Sequence, residues 1–213
     1  VTGYSAHTDR LFEQAIADLK RLGAEIVDPA DFGNMGDYDE EELEVLLYEL
    51  KAGLNAYLAR RTGLPVHTLE DVIAFNERNA DREMRWFGQD LFIKAQAKGA
   101  LTDQAYLKAA QKARRLARAG IDDVLAQHKL DAIVAPTGSP AWLTDHVNGD
   151  AFQGASSAPA AVAGYPNITV PMGFAMGLPV GLSFVGTAWS EGTLLGLAYS
   201  YEQGTRHRRA PRF

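Results

Sequence analysis

Cysteine is absent from all 213 residues, which excludes disulfide staples, thiolate metal sites and a cysteine nucleophile. Long apolar runs are lacking too. Pro136, Pro140, Pro159, Pro166, Pro171 and Pro179 interrupt the least charged region, so no stretch reaches the roughly 18 apolar residues that a spanning helix needs, and no membrane is expected as a partner. Nor is there an excess of positive charge: 21 Lys and Arg stand against 27 Asp and Glu, a formal net charge of -6 that leaves no footprint for nucleic acid. The start, Val1-Thr2-Gly3-Tyr4-Ser5, has neither an initiator Met nor a basic segment followed by an apolar one. A processed chain, a trimmed one or a fragment would each begin so, and a cytoplasmic location is expected.

The sharpest absence is local. Residues 130–205 contain no Lys or Arg, although residues 1–129 hold 17 of the 21 and Arg206, Arg208, Arg209 and Arg212 follow directly. The same stretch carries 11 of the 20 glycines and 6 of the 9 prolines, so it is either buried on several sides or lines something.

What is present reads as an α/β fold, a mixed sheet with covering helices. Residues 1–129 are mainly helical with one α/β unit. Leu11, Ala15, Leu19 and Leu22 mark a helix that stops at Gly23, and residues 24–27 then predict a short strand closed by Asp28-Pro29. A second helix follows Leu43, Leu46, Leu47, Leu50, Leu54 and Leu58; Thr68 caps a third; Met84, Phe87, Leu91 and Ala95 define another. Thr102 caps the stripe from Tyr106 to Val124. In residues 130–213 the period changes. Residues 132–135 predict a strand buried on both faces, residues 168–170 and 180–185 two more, and Leu194, Leu195, Ala198 and Tyr201 a closing helix with Ser190 as its cap.

No complete catalytic device is visible. The acidic run from Asp37 to Glu44 lacks the spacing of a calcium loop and reads as a helix N-terminus. None of the five histidines forms a zinc signature, so no metal is expected. Gly173 to Gly186 has no phosphate-binding fingerprint, and no cofactor is expected. Asp145 and His146, with Asp150 and with Ser139, Ser156 or Ser157, supply the residue types of a hydrolytic triad, but adjacent Asp and His side chains diverge and no nucleophile elbow is present. The arginines at 206–212 read as a solvated tail.

Residues 160–174, Ala-Ala-Val-Ala-Gly-Tyr-Pro-Asn-Ile-Thr-Val-Pro-Met-Gly-Phe, and residues 177–186, Gly-Leu-Pro-Val-Gly-Leu-Ser-Phe-Val-Gly, resemble the C-terminal region of the amidase signature family. Residues 130–137 resemble that family's strand and Pro-Thr turn, residues 12–29 its helix and strand after the catalytic region, and residues 48–58 the peptide-amidase type of member. The resemblance implies that residues 1–213 are the C-terminal portion of one amidase domain, part of the amidase signature fold. Members hydrolyse amides with a nucleophilic Ser, a second Ser on a cis peptide and a Lys base, all in the N-terminal half. None of these matches a residue of this sequence; Lys20, Lys51 and Lys94 sit in helical contexts unlike the catalytic Lys.

The expected function is therefore the C-terminal segment of an amidohydrolase that cleaves linear carbon-nitrogen amide bonds, inactive alone. Its expected partner is the missing N-terminal half, with a homodimer through an exposed sheet edge as a further expectation. The alternative is a stand-alone, non-catalytic binding module derived from the same fold. Two residues are expected to line a substrate pocket: Thr137, just past the C-terminal end of a buried strand, and Trp142, in the adjoining Pro-rich loop.

Overall fold

The computed structural model describes residues 2, 3 and 5–211; Val1, Tyr4, Arg212 and Phe213 lie outside them. In chain order the elements are α1 (Ala6–Arg21), α2 (Asp39–Leu58), α3 (Leu69–Arg78), α4 (Ala80–Glu83), α5 (Asp90–Gln96), α6 (Gln104–His128), β1 (Ile133–Pro136), α7 (Ala158–Ala163), β2 (Asn167–Ala175), β3 (Leu178–Val185) and α8 (Glu191–Thr205). They fall into two units, Val1–Met35 with Arg114–Phe213, and Gly36–Ala113.

The first unit is built on a three-stranded sheet in the order β1-β3-β2. The α/β class stands, and the pairing within the described residues is antiparallel throughout rather than mixed. β2 and β3 form a hairpin whose turn, Met176-Gly177, has positive φ at both residues (49° and 81°), the backbone twist that tight hairpins favour. On one face of β3 Val180, Leu182 and Phe184 alternate into a core closed by Ala15 and Leu19 of α1 and by Leu194, Ala198 and Tyr201 of α8. Gly173, at a bulge in β2, is what lets α1 come down on the sheet: a Cβ there would stand 2.7 Å from Leu11 Cδ2. The α7–β2 connection is tied to α6, where Asp122 accepts from the Tyr165 hydroxyl and the Thr187 hydroxyl, both at 2.7 Å, and Arg118 Nε donates to Ala163 O at 2.9 Å.

The second unit is helical. Leu47, Leu69 and Ala95 are its buried centre, with Leu50, Leu54, Ile73 and Phe92 packed around them. Thr68 and Asp71 form a reciprocal capping box at the start of α3, as expected for that threonine. The acidic run opens α2, where Glu44 pairs with Lys98 and Glu41 with Lys112, each at 2.6 Å. Lys51 Nζ donates to Gln96 O at 2.8 Å, closing the carbonyl end of α5.

Four expectations are corrected. Residues 24–27 form no strand, because no ladder partner stands beside them. The helix expected through Met84 and Phe87 is broken into α4 and α5 around Gly88, and Gln89 bridges the break by donating to Ile73 O. At the start of α6 Leu107 N–H bonds to Asp103 O, so Asp103 and not Thr102 occupies the cap position. Ser190 precedes α8, but its hydroxyl donates back to Thr187 O instead of capping the helix.

The Tyr201 hydroxyl is fully buried without a hydrogen-bond partner among the described residues, and burial, helped by the Asp18 carboxylate, pushes its pKa up to about 12. A phenol raised in the folded state contributes stability that is complete below its ordinary value of 10.0 and is lost as pH rises through the folded value. Tyr201→Phe should leave stability at neutral pH unchanged or higher by up to about 1 kcal/mol. It should also flatten the fall between pH 10 and pH 12, read by urea denaturation across that range; Tyr38, likewise raised to about 12, keeps its own share of the fall.

Candidate functional site

At the end of β1 the chain leaves the sheet through a narrow neck. Thr137 N–H donates to Gly181 O (2.8 Å), Ser156 N–H to Thr137 O (3.2 Å) and Ser139 N–H to Gly154 O (3.1 Å). A bridge between Gly138 and Ala155 completes the neck, so residues 139–154 form a loop with its ends held together.

Above the neck three hydroxyls meet. Thr137 Oγ1 lies 2.6 Å from Thr169 Oγ1 and 2.9 Å from Ser183 Oγ. Thr169 opposes Ser183 across β2 and β3, while Thr137, beyond β1, is bonded across to Gly181; residues 181 and 183 share the face of β3 turned away from the core. Threonines on the two flanks of β3 can touch only because nothing stands on Gly181. A Cβ there would sit 2.5 Å from Thr169 Oγ1 and 2.7 Å from Thr137 Oγ1, closer than such atoms approach. Ser183 is buried, Thr137 half-buried and Thr169 exposed, so the ladder runs from the interior to the surface. Each hydroxyl is one donor and two acceptors, and the exposed end can meet either the carbonyl or the N–H of an amide.

Trp142 belongs to the loop above the neck. Its ring packs edge-on against Phe152 at 6.1 Å, and its Nε1 donates to Asp150 Oδ1 at 3.2 Å. Leu143 and Val147 are about nine-tenths exposed beside it in sequence, so the loop offers apolar surface to its surroundings. Thr137 and Trp142 thus occupy the base and the body of one loop, with separate hydrogen-bond partners.

Asp145 accepts from the backbone N–H groups of Val147 and Asn148 and from the Asn148 side chain, bonds that hold its carboxyl below the usual range. With Asp150 engaged by the Trp142 indole, both carboxylates shape the loop itself. Ser156 is buried in the neck, its hydroxyl without a partner among the described residues. Among those residues no three His, Asp or Glu side chains gather to hold a metal ion.

Thr169, Ser183 and Gly181 were not singled out from the sequence. Their only signal is a small or hydroxyl residue at alternate positions in otherwise apolar strands, and pairing register alone brings them to Thr137.

The model of the Amidase family matches residues 1–195. This chain belongs to the amidase family. A probable amidase of Arabidopsis thaliana is 36% identical over 209 residues, 95% of this chain but 38% of its own length. The structure of native peptide amidase from Stenotrophomonas maltophilia superposes with a TM-score of 0.85 at 48% identity, over 96% of this chain and 41% of that one. A peptide amidase in complex with the competitive inhibitor chymostatin gives 0.88 at 50% identity, over 96% and 42%. The chain therefore spans about two fifths of the amidases it matches.

In this chain Gly181→Ala should force the two threonines apart and lower stability by about 1–3 kcal/mol. Combined with Thr169→Ala, which removes the nearest colliding atom, the loss should fall well short of the sum. A denaturant double-mutant cycle measures the coupling.

Proposed function

We propose that this chain is the C-terminal portion of an amidase that cleaves linear carbon-nitrogen amide bonds, peptide amides above all. The observation that carries it is the identity of about half to peptide amidases across 96% of the chain. The hydroxyl ladder under the loop supports a role in substrate positioning: Thr137 offers a hydroxyl to the neutral amide, and Trp142 with its loop supplies apolar cover. Cover of this kind strengthens hydrogen bonds to the reacting group by excluding water. A stretch without cations suits a neutral amide, since no ammonium or guanidinium competes for the carbonyl.

In this reading the Ser–cis-Ser–Lys machinery belongs to the part of an amidase domain not represented in these residues. The chain then contributes scaffold and pocket wall, is inactive alone, and takes the remainder of the domain as its partner. Without that partner it self-associates through its exposed sheet edge.

The test supplies the non-overlapping N-terminal portion of the Stenotrophomonas maltophilia peptide amidase in trans. The 213-residue chain alone should release no ammonia from peptide amides, the mixture should, and Thr137→Val in the mixture should raise KM more than it lowers kcat. Hydrolysis by the chain alone, abolished by substituting one of its own serines, overturns the proposal. Binding of peptide amides without turnover in the mixture would favour the non-catalytic module instead.

A further inference from the structure

The loop above the neck carries a side-chain amide placed to react with its own backbone. The sequence has six asparagines, Asn34, Asn55, Asn76, Asn79, Asn148 and Asn167, and only Asn148 is followed by glycine. An asparagine amide is open to attack by the backbone nitrogen of the next residue, and a side chain on that residue obstructs the approach. Gly149 has none, and nothing stands within 4 Å of where its Cβ would be.

Three hydrogen bonds gather the reacting groups on one residue. Asn148 Nδ2 donates to Asp145 Oδ2 at 2.8 Å, Asn148 N–H to Asp145 Oδ1 at 2.9 Å, and Gly149 N–H to Asp145 O at 3.0 Å. The nitrogen that would attack and the nitrogen that would leave are thus both bound to Asp145. Asn148 and Gly149 are exposed, so water and hydroxide reach them. The bonds from Val147 and Asn148 keep the Asp145 carboxyl ionised at neutral pH.

We propose that Asn148-Gly149 is a self-modification site: Asn148 loses its side-chain amide as ammonia at a rate set by the Asp145 clasp, and the product loosens the loop that carries Trp142. Gly149 N gives up its proton to hydroxide and adds to Asn148 Cγ. The Cγ–Nδ2 bond breaks, and ammonia leaves with a proton taken from water. Water then opens the five-membered imide, at Cγ to give aspartate or at the main-chain carbonyl of residue 148 to give isoaspartate. The sum is one water consumed and one ammonia released, with no oxidant or cofactor. This chemistry needs only the loop and water and is independent of the amidase reading.

The clasp opposes the first step, because Gly149 N must leave Asp145 O and the Asn148 amide must leave Asp145 Oδ2 before they can react. The product undoes the clasp. A carboxylate at position 148 replaces a donor to Asp145 with a second anion, and like charges at that distance repel. Isoaspartate also lengthens the main chain by a methylene, which displaces Gly149 N–H from Asp145 O. The bond from Trp142 Nε1 to Asp150 and the packing of Trp142 on Phe152 lie in the same loop and lose that brace.

The test is mass spectrometry of the 213-residue chain held at neutral pH, folded and in guanidinium chloride. Residues 130–205 lack Lys and Arg, so chymotrypsin rather than trypsin isolates Asn148. Ammonia loss should appear at Asn148 before any other asparagine, as a mixture of aspartate and isoaspartate, and should run faster in denaturant than in the fold. Asp145→Ala should speed it in the folded chain by about tenfold or more, the worth of one hydrogen bond to a charged group, and leave the rate in denaturant unchanged. Asn148→Asp, standing for the product, should speed solvent exchange of the Trp142 indole N–H severalfold, read by NMR with Trp142→Phe to assign the signal. Earlier loss at another asparagine overturns the proposal, as does a rate in the fold that equals the rate in denaturant or ignores Asp145→Ala. A Trp142 indole that Asn148→Asp leaves unmoved overturns it too.

Discussion

The pairing of β3 on both sides is the constraint on which the first unit depends. A strand held between two partners cannot slip by one residue without turning every side chain to the opposite face. Val180, Leu182 and Phe184 are thereby committed to the core under α1 and α8, and Gly181 and Ser183 to the other face. The register that builds the core therefore also builds the hydroxyl ladder. Thr169 stands opposite Ser183, and Thr137 reaches both across the gap at Gly181. Core and candidate pocket wall are two faces of one ladder, so neither can change register independently.

Elements whose cause is local were legible in the sequence. The period of Leu11, Ala15 and Leu19 specifies α1, Thr68 caps α3, and the alternation in residues 180–185 places β3 and its inward face. What was not legible depends on residues far apart in sequence. The meeting of Thr137 with Thr169 and Ser183 spans separations of 32 and 46 residues and follows from strand register, which single-strand patterns do not carry. The break between α4 and α5 was hidden for a related reason. Met84, Phe87, Leu91 and Ala95 keep a helical spacing across Gly88, and the Gln89 side chain fastens to α3 in place of a continuous helix. Residues 24–27 illustrate the converse: their pattern is that of a strand, but a strand is a relation between segments and exists only where a partner stands beside it.

The cation-free stretch now has physical content, position by position. In β1 and β3 a Lys or Arg would place a charge in the core, in the neck or on the hydroxyl ladder, where burial without a paired anion is costly. That reasoning does not extend to the loop, where Leu143, Val147 and Phe152 are exposed and a cation would cost nothing in the structure described. The loop nevertheless holds only carboxylates as charges, and Asp145 and Asp150 are both engaged in shaping it. Exposed apolar residues around a carboxylate-braced aromatic pair resemble the surface of an interface or a pocket more than that of a solvated loop. The composition of residues 130–205 therefore has two causes. One part of it follows from burial within the unit, and the loop marks surface whose apolar character the unit itself does not require.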